Sequence, residues 1–202
     1  SIGISAFYGC SGLTIINITD LDKWAEIEFG DINANPLYFN RSLYLNGQLV
    51  TEVKLNTAKK IGSYAFYNWY HLTSVTIPNS VNKIGKSAFQ YCKGLTSVYV
   101  EWKDADKIPS ISSYVFPYST CSLYVPSGTK SIYQGKEYWK KFKSIVDGVI
   151  ITINNMDDSD GSIIADNNTS FTLYDNIKSI SVPKELEDVT ITYTRNFEKA
   201  GV

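Results

Sequence analysis

Ile61-Gly62-Ser63-Tyr64-Ala65-Phe66-Tyr67-Asn68-Trp69-Tyr70-His71-Leu72-Thr73-Ser74-Val75-Thr76-Ile77 decides the fold, because the chain repeats it 23 positions later. The second copy runs Ile84-Gly85-Lys86-Ser87-Ala88-Phe89-Gln90-Tyr91-Cys92-Lys93-Gly94-Leu95, then Thr96-Ser97-Val98-Tyr99-Val100. An earlier copy opens the chain at Ile2-Gly3-Ile4-Ser5-Ala6-Phe7. Counting from the leading Ile, Ala stands at offset 4, Phe at 5, Leu at 11, and Ile or Val at 14 and 16. Apolar residues at fixed offsets in a period of roughly 20–30 residues are the signature of a stacked solenoid.

Each repeat reads as two walls. Offsets 11 to 16, as in Leu72-Thr73-Ser74-Val75-Thr76-Ile77, end in β-branched alternation, which predicts a short strand with offsets 14 and 16 turned inward. The Ala-Phe segment forms the opposite wall as a tight helical turn, its Ala allowing close approach and its Phe filling the core. A lone repeat buries too few side chains to offset the entropy of ordering it, so stability must come from stacking.

Two further repeats are degenerate. Val50, Val53 and Leu55 fit offsets 11, 14 and 16, which puts a repeat start near Phe39, and Asn46-Gly47 signals a hairpin turn inside it. Thr19 and Asp22 resemble a helix cap ahead of Leu21, Trp24 and Ile27, predicting a short inserted helix. Near Ile111, Val115-Phe116 replaces Ala-Phe and Leu123-Tyr124-Val125-Pro126 replaces the strand. The count is about five coils, and the expected solenoid spans 1–148. Residues 127–148, with Ile132, Tyr133, Tyr138, Trp139 and Phe142, are expected to cap its C-terminal end. The chain opens within a repeat, as an excised piece of a longer array would.

From Val149 the period vanishes. Alternating runs at Val149–Ile153, Ser162–Ala165, Ile177–Val182 and Val189–Tyr193 predict a small, incomplete all-β module over 149–202. The fold class is therefore mainly β with short helical turns.

Chemistry-bearing patterns are sparse. His71, the single histidine, falls at offset 10 where sister repeats have Gly12 and Gly94, which marks an exposed turn. Without a second His, no Ser-His-Asp or Cys-His arrangement can be assembled, and no catalytic residue, cofactor site or metal site is expected. Cys10 and Cys92 share offset 8 with Trp69, so the position reads as a packing slot, and Cys121 stands alone in sequence. Asp157-Asp158-Ser159-Asp160-Gly161 resembles part of a calcium loop. Alignment on Gly161 puts Met156 and Asn167 where carboxylates belong, so a polar hairpin turn is expected instead. A net charge of -1 offers no field for nucleic acid, and no apolar run reaches the ~20 residues of a membrane span.

The Ile-Gly-x-x-Ala-Phe-x-x-Cys-x-x-Leu-Thr-Ser-Val pattern, with Asn35-Pro36-Leu37-Tyr38 and Leu123-Tyr124-Val125-Pro126-Ser127-Gly128-Thr129, resembles the BspA-like leucine-rich repeat family. That family is a surface-protein class of Bacteroides-type bacteria and some mucosal protists. Trp69 for Cys and Val115 for Ala depart from the pattern without a change of character. The resemblance implies an extracellular or cell-surface protein for adhesion or ligand capture. Its partner would be a host or microbial surface protein or glycan, and the chain itself is expected to be monomeric. A structural spacer displaying another domain is the alternative. For a ligand face, strand offset 15 (Asn17, Lys54, Thr76, Tyr99, Tyr124) and offset 13 (Ile15, Glu52, Ser74, Ser97, Ser122) point away from the core. Lys54, Thr76, Tyr99 and Tyr124, with nearby Trp102, are the candidate contacts, because Tyr and Trp serve as interface anchors.

Overall fold

A computed structural model describes residues 1–39, 41–155, 161–165 and 177–181. Along the chain come β1 (Ile15–Ile18), α1 (Leu21–Ala25), 3-10 turns at Ile32–Ala34 and Pro36–Phe39, β2 (Ser42–Leu45) and β3 (Gln48–Leu49). Next are β4 (Glu52–Lys54), β5 (Lys60–Ile61), β6 (Ser74–Ile77), β7 (Lys83–Ile84), β8 (Ser97–Val100) and β9 (Ser122–Pro126). The last elements are α2 (Lys130–Gly135), a 3-10 turn at Trp139–Lys141, β10 (Ser144–Asn155), β11 (Gly161–Ala165) and β12 (Ile177–Ser181). Strands dominate and the helical pieces are short, as the repeat pattern requires.

The strand wall is a parallel ladder in the order β4-β6-β8-β9-β10, with Val53, Val75, Val98, Leu123 and Ile145 on one row. Val53, Leu55, Val75, Ile77, Val98, Val100, Leu123 and Val125 are buried, so offsets 14 and 16 do face inward. The opposite wall has its own ladder: Phe66 N–H donates to the Ala88 carbonyl and Phe89 N–H to that of Val115, both at 2.9 Å. Behind it Phe66, Phe89 and Phe116 form a column, centroids 5.1 Å apart and planes within 9°. Paired strands lie about 4.8 Å apart, so the ring column and the strand ladder climb at nearly one rate.

That small rise explains the Ile-Gly step. A Cβ on Gly62 would sit 1.9 Å from the Ile27 carbonyl oxygen, and one on Gly85 2.4 Å from Ser63 N. Gly94 is confined in the same way, 2.4 Å from the Tyr70 carbonyl oxygen, whereas its counterpart Gly12 meets nothing within 4 Å. The turn wall also bends through the left-handed region twice per repeat. Ser5, Tyr64 and Ser87 at offset 3 have φ 56, 61 and 56, and Gly9, Asn68 and Tyr91 at offset 7 have φ 75, 58 and 63.

The second repeat begins earlier than Phe39. Ile2 bridges Phe29, Gly30 N–H donates to Ile2, and Phe29 N–H donates to Ser63, so Phe29-Gly30 is the rung between Ile2-Gly3 and Ile61-Gly62. Sequence matching failed because α1 precedes this rung and a hairpin interrupts the repeat after it. In that hairpin β2 pairs parallel with β1 and antiparallel with β3, through Asn46 and Gly47 at φ 50 and 83. The N-cap of α1 is Asp20 rather than Thr19, its carboxylate accepting from Lys23 N–H. Carboxylates of the inserted region hold the next repeat by its backbone. Asp22 accepts from the N–H groups of Asn56, Thr57 and Ala58, Glu26 from Lys59, and Glu28 from Ser63. Asn35, fully buried, donates to the carbonyls of Tyr64 and Ala65 and accepts from Leu37 N–H.

The packing slot at offset 8 holds for Cys92 and Trp69, which are buried, but Cys10 is exposed at the edge of the first repeat. Cys121, which the repeat alignment leaves isolated, is also buried. The Cys92 thiol donates to the Phe66 carbonyl at 2.9 Å and the Cys121 thiol to that of Leu95 at 3.0 Å. Burial pushes the Cys92 thiol up to about 12 and Cys121 up to about 11.

Within the segment 127–148, Tyr133, Trp139 and Phe142 are buried. Tyr133 Oη donates to the Trp102 carbonyl and Trp139 Nε1 to that of Pro109. The ladder continues at the end of this segment, because Ser144–Gly148 pair in parallel with β9. The same strand then pairs antiparallel with β11 from Val149↔Ala165 and with β12 from Thr152↔Ser181. Residues 148 and 149 are consecutive positions of β10. The run Val189–Tyr193 and the acidic stretch Asp157–Asp160 lie outside the described residues, and Gly161 opens β11.

Three outcomes are expected. Gly94→Ala should lower stability by about 2 kcal/mol or more in urea unfolding, while Gly12→Ala at the same offset should stay within about 0.5 kcal/mol; equal effects would contradict the stacking geometry. A native thiol titration at pH 8 should detect Cys10 alone, and all three cysteines only after denaturation. Burial pushes the Glu28 carboxyl up, but hydrogen bonds from Ser63 and Lys60 outweigh it and hold the group below its ordinary 4.5. Its stabilisation is therefore present above pH 4.5 and lost as pH falls through the lowered value, so Glu28→Gln should flatten acid unfolding below pH 4.5.

Candidate binding face

The outward face of the ladder is set by strand alternation and register. One row runs Lys54, Thr76, Tyr99, Tyr124 and Val146; the next runs Glu52, Ser74, Ser97, Ser122 and Ser144. Lys54, Thr76, Tyr99 and Tyr124 thus come together on one row as the offsets predict. Asn17 and Ile15 do not join them, because β1 pairs with the inserted β2, placing Asn17 opposite Tyr44 and Ile15 opposite Ser42.

Tyr99 and Tyr124 stack at 4.6 Å between centroids, with 25° between their planes. Both are half-buried. Burial is the main influence raising the Tyr99 hydroxyl, opposed by a hydrogen bond with Ser97 and reinforced by Tyr124 and Glu52. The phenol stays protonated across neutral pH and keeps both a donor and an acceptor. Beside the pair, Ser144 and Ser122 join through their hydroxyls at 2.9 Å.

Trp102 is not part of this face. It is 1% exposed, its Nε1 donates to the Val81 carbonyl at 2.9 Å, and its ring meets Trp139 edge-on at 5.8 Å. The reason lies in its parity, since Trp102 continues the inward series Val98, Val100. A hollow of about 410 Å³ lies at Trp102 instead, bordered also by Asn79, Glu101, Lys103, Asp104 and Lys107. Burial raises the Glu101 carboxyl, while the Asn79 N–H and Lys54 pull it down.

His71 is exposed in its turn. Among the described residues, no group of three or more His, Cys, Asp or Glu is placed to hold a metal ion, and no helix is long and apolar enough to cross a membrane. Repeat offsets alone miss a second concentration of aromatic residues, on the turn wall. Tyr70, Tyr91 and Tyr114 are exposed there, and Tyr67 lies 5.6 Å from Tyr91 and 5.7 Å from Tyr38. The signal in the sequence was Tyr91 itself, which stands where sister repeats carry Gly9 and Asn68.

The profile of the BspA type leucine rich repeat region fits residues 38–155 in six copies, more than half of the 202-residue chain. Searches of curated proteins and of solved structures each returned no match. The extent of that fit, over repeats that share one strand ladder and one core column, places the chain in the BspA-type leucine-rich repeat family.

Proposed function

We propose that the repeats wind as a solenoid of a cell-surface protein, followed by a small all-β module, and that the outward strand face is a non-enzymatic binding surface. The observation that carries this reading is the Tyr99–Tyr124 stack, held at 4.6 Å by ladder register in line with Thr76 and Lys54. Two rings fixed by the backbone present amphipathic area with little entropy left to lose, which suits them as contact anchors. Lys54 adds a charge for steering at one end of the row. The fitting ligand is a host or microbial surface protein or glycan, engaged outside the cell by a monomer.

A second reading, a spacer that displays another domain of a longer surface protein, is favoured by the adjacent row. Ser74, Ser97, Ser122 and Ser144 form a smooth polar stripe with little to anchor a partner. A host-matrix and glycan array separates the two readings. The binding face should capture at least one array component, with Tyr99→Ser/Tyr124→Ser weakening it tenfold or more and shifting Tm by only a few degrees. Unaltered capture by that variant would remove the role assigned to the two tyrosines.

A further inference from the structure

We infer that the turn wall carries a separate site, a cleft for a carboxylate-bearing oligosaccharide between the repeats that start at Ile84 and Ile111. The cleft holds about 610 Å³ and is bordered by Tyr91, Tyr114 and Tyr118, with Phe116 in its wall. Tyr91 is 51% exposed and Tyr114 60%, which leaves ring surface open to a ligand, while Phe116 is buried. Tyr118 is fixed in place by donating its hydroxyl to the Ser112 carbonyl at 2.7 Å.

The chemistry of the lining selects a sugar. Open aromatic faces pack on the C–H faces of a pyranose, and ring hydroxyls need short polar partners close by. Gln90, Ser113, Ser119 and Thr120 supply amide and hydroxyl groups around the same cleft. Charge then selects among sugars. Lys93 is the charged residue of the lining, with no Asp or Glu beside it there. The ion pairs of Glu28 engage Lys60 and Lys83, and none among the described residues engages Lys93. Its ammonium rests 5.6 Å over the Tyr70 ring of the preceding repeat, a contact with no counter-anion that leaves the charge open to a sugar carboxylate.

Backbone conformation gives an independent reason to assign Tyr91 a role. It has φ 63 at the offset where Gly9 and Asn68 occur, the two residue types that tolerate the left-handed region. A bulky ring in that conformation works against stability, as that of Tyr64 at φ 61 also does at offset 3; what sets Tyr91 apart is that its ring is half exposed at the cleft. This cleft lies on the wall opposite the Tyr99–Tyr124 face and stands or falls independently of it.

The test is calorimetric titration of the full chain with trigalacturonate and, as the neutral comparison, galactotriose. Trigalacturonate should bind and galactotriose more weakly. Tyr91→Gly should weaken trigalacturonate binding tenfold or more while leaving Tm unchanged or raised, and Tyr114→Ala should weaken it as well. Lys93→Gln should erase the preference for the acidic sugar, and Tyr99→Ser/Tyr124→Ser should leave binding intact. Absence of binding, equal affinity for the neutral sugar, wild-type affinity in Tyr91→Gly, or loss confined to the Tyr99/Tyr124 variant would each overturn the assignment.

Discussion

The packing of the repeats depends on each rising by the distance between two hydrogen-bonded strands. The ladder of β4, β6, β8, β9 and β10 sets that distance, and the Phe66–Phe89–Phe116 column matches it at 5.1 Å. A rise so small leaves no space for a side chain where two backbones cross, hence the glycines at 62, 85 and 94. It also gives outward residues of equal offset a common row, which is how Tyr99 and Tyr124 come to stack without any contact designed for that pair alone. Repetition converts a local constraint into an extended surface.

Where the period is regular, residue identity reports position directly. Val75 and Val98 are inward, Thr76 and Tyr99 outward, and the register confirms each. Legibility fails where something is inserted. The Phe29-Gly30 rung was hidden because Asn33 takes the place of Ala and α1 intrudes before it, yet Phe7 N–H still donates to the Asn33 carbonyl as each Phe does to the following repeat. Ser144–Gly148 was hidden for a different reason, since it comes after a Lys-rich helical stretch that carries no Ala-Phe step. The candidate face was half legible: alternation turns Tyr99 and Tyr124 outward, and the same alternation, carried two residues beyond Val100, places Trp102 inward. The turn-wall cleft was not legible, because backbone sign at Tyr91 and the gap beside Tyr114 are three-dimensional facts.

The four tryptophans show how one residue type is used differently within one core. Trp24, Trp102 and Trp139 each give their ring N–H to a carbonyl of a different segment, those of Ala65, Val81 and Pro109. Trp69, in the slot that Cys92 fills elsewhere, finds no acceptor for its buried ring N–H among the described residues. A thiol reaches the neighbouring carbonyl from that slot, as Cys92 does to Phe66, and an indole oriented to stack on Phe66 at 6.0 Å does not. Burying the larger ring offsets the missing bond.

Strand β10 is unbroken from Ser144 to Asn155, parallel to its neighbour at one end and antiparallel to its neighbours at the other. A chain that changes partners without a loop has no joint at the change. Tension drawn along it would load the bonds of β9 and β11 in shear, many at once, instead of unzipping them singly. For a protein working against flow or a moving surface, the passage out of the repeats along β10 would be a stiff transmission rather than a tether.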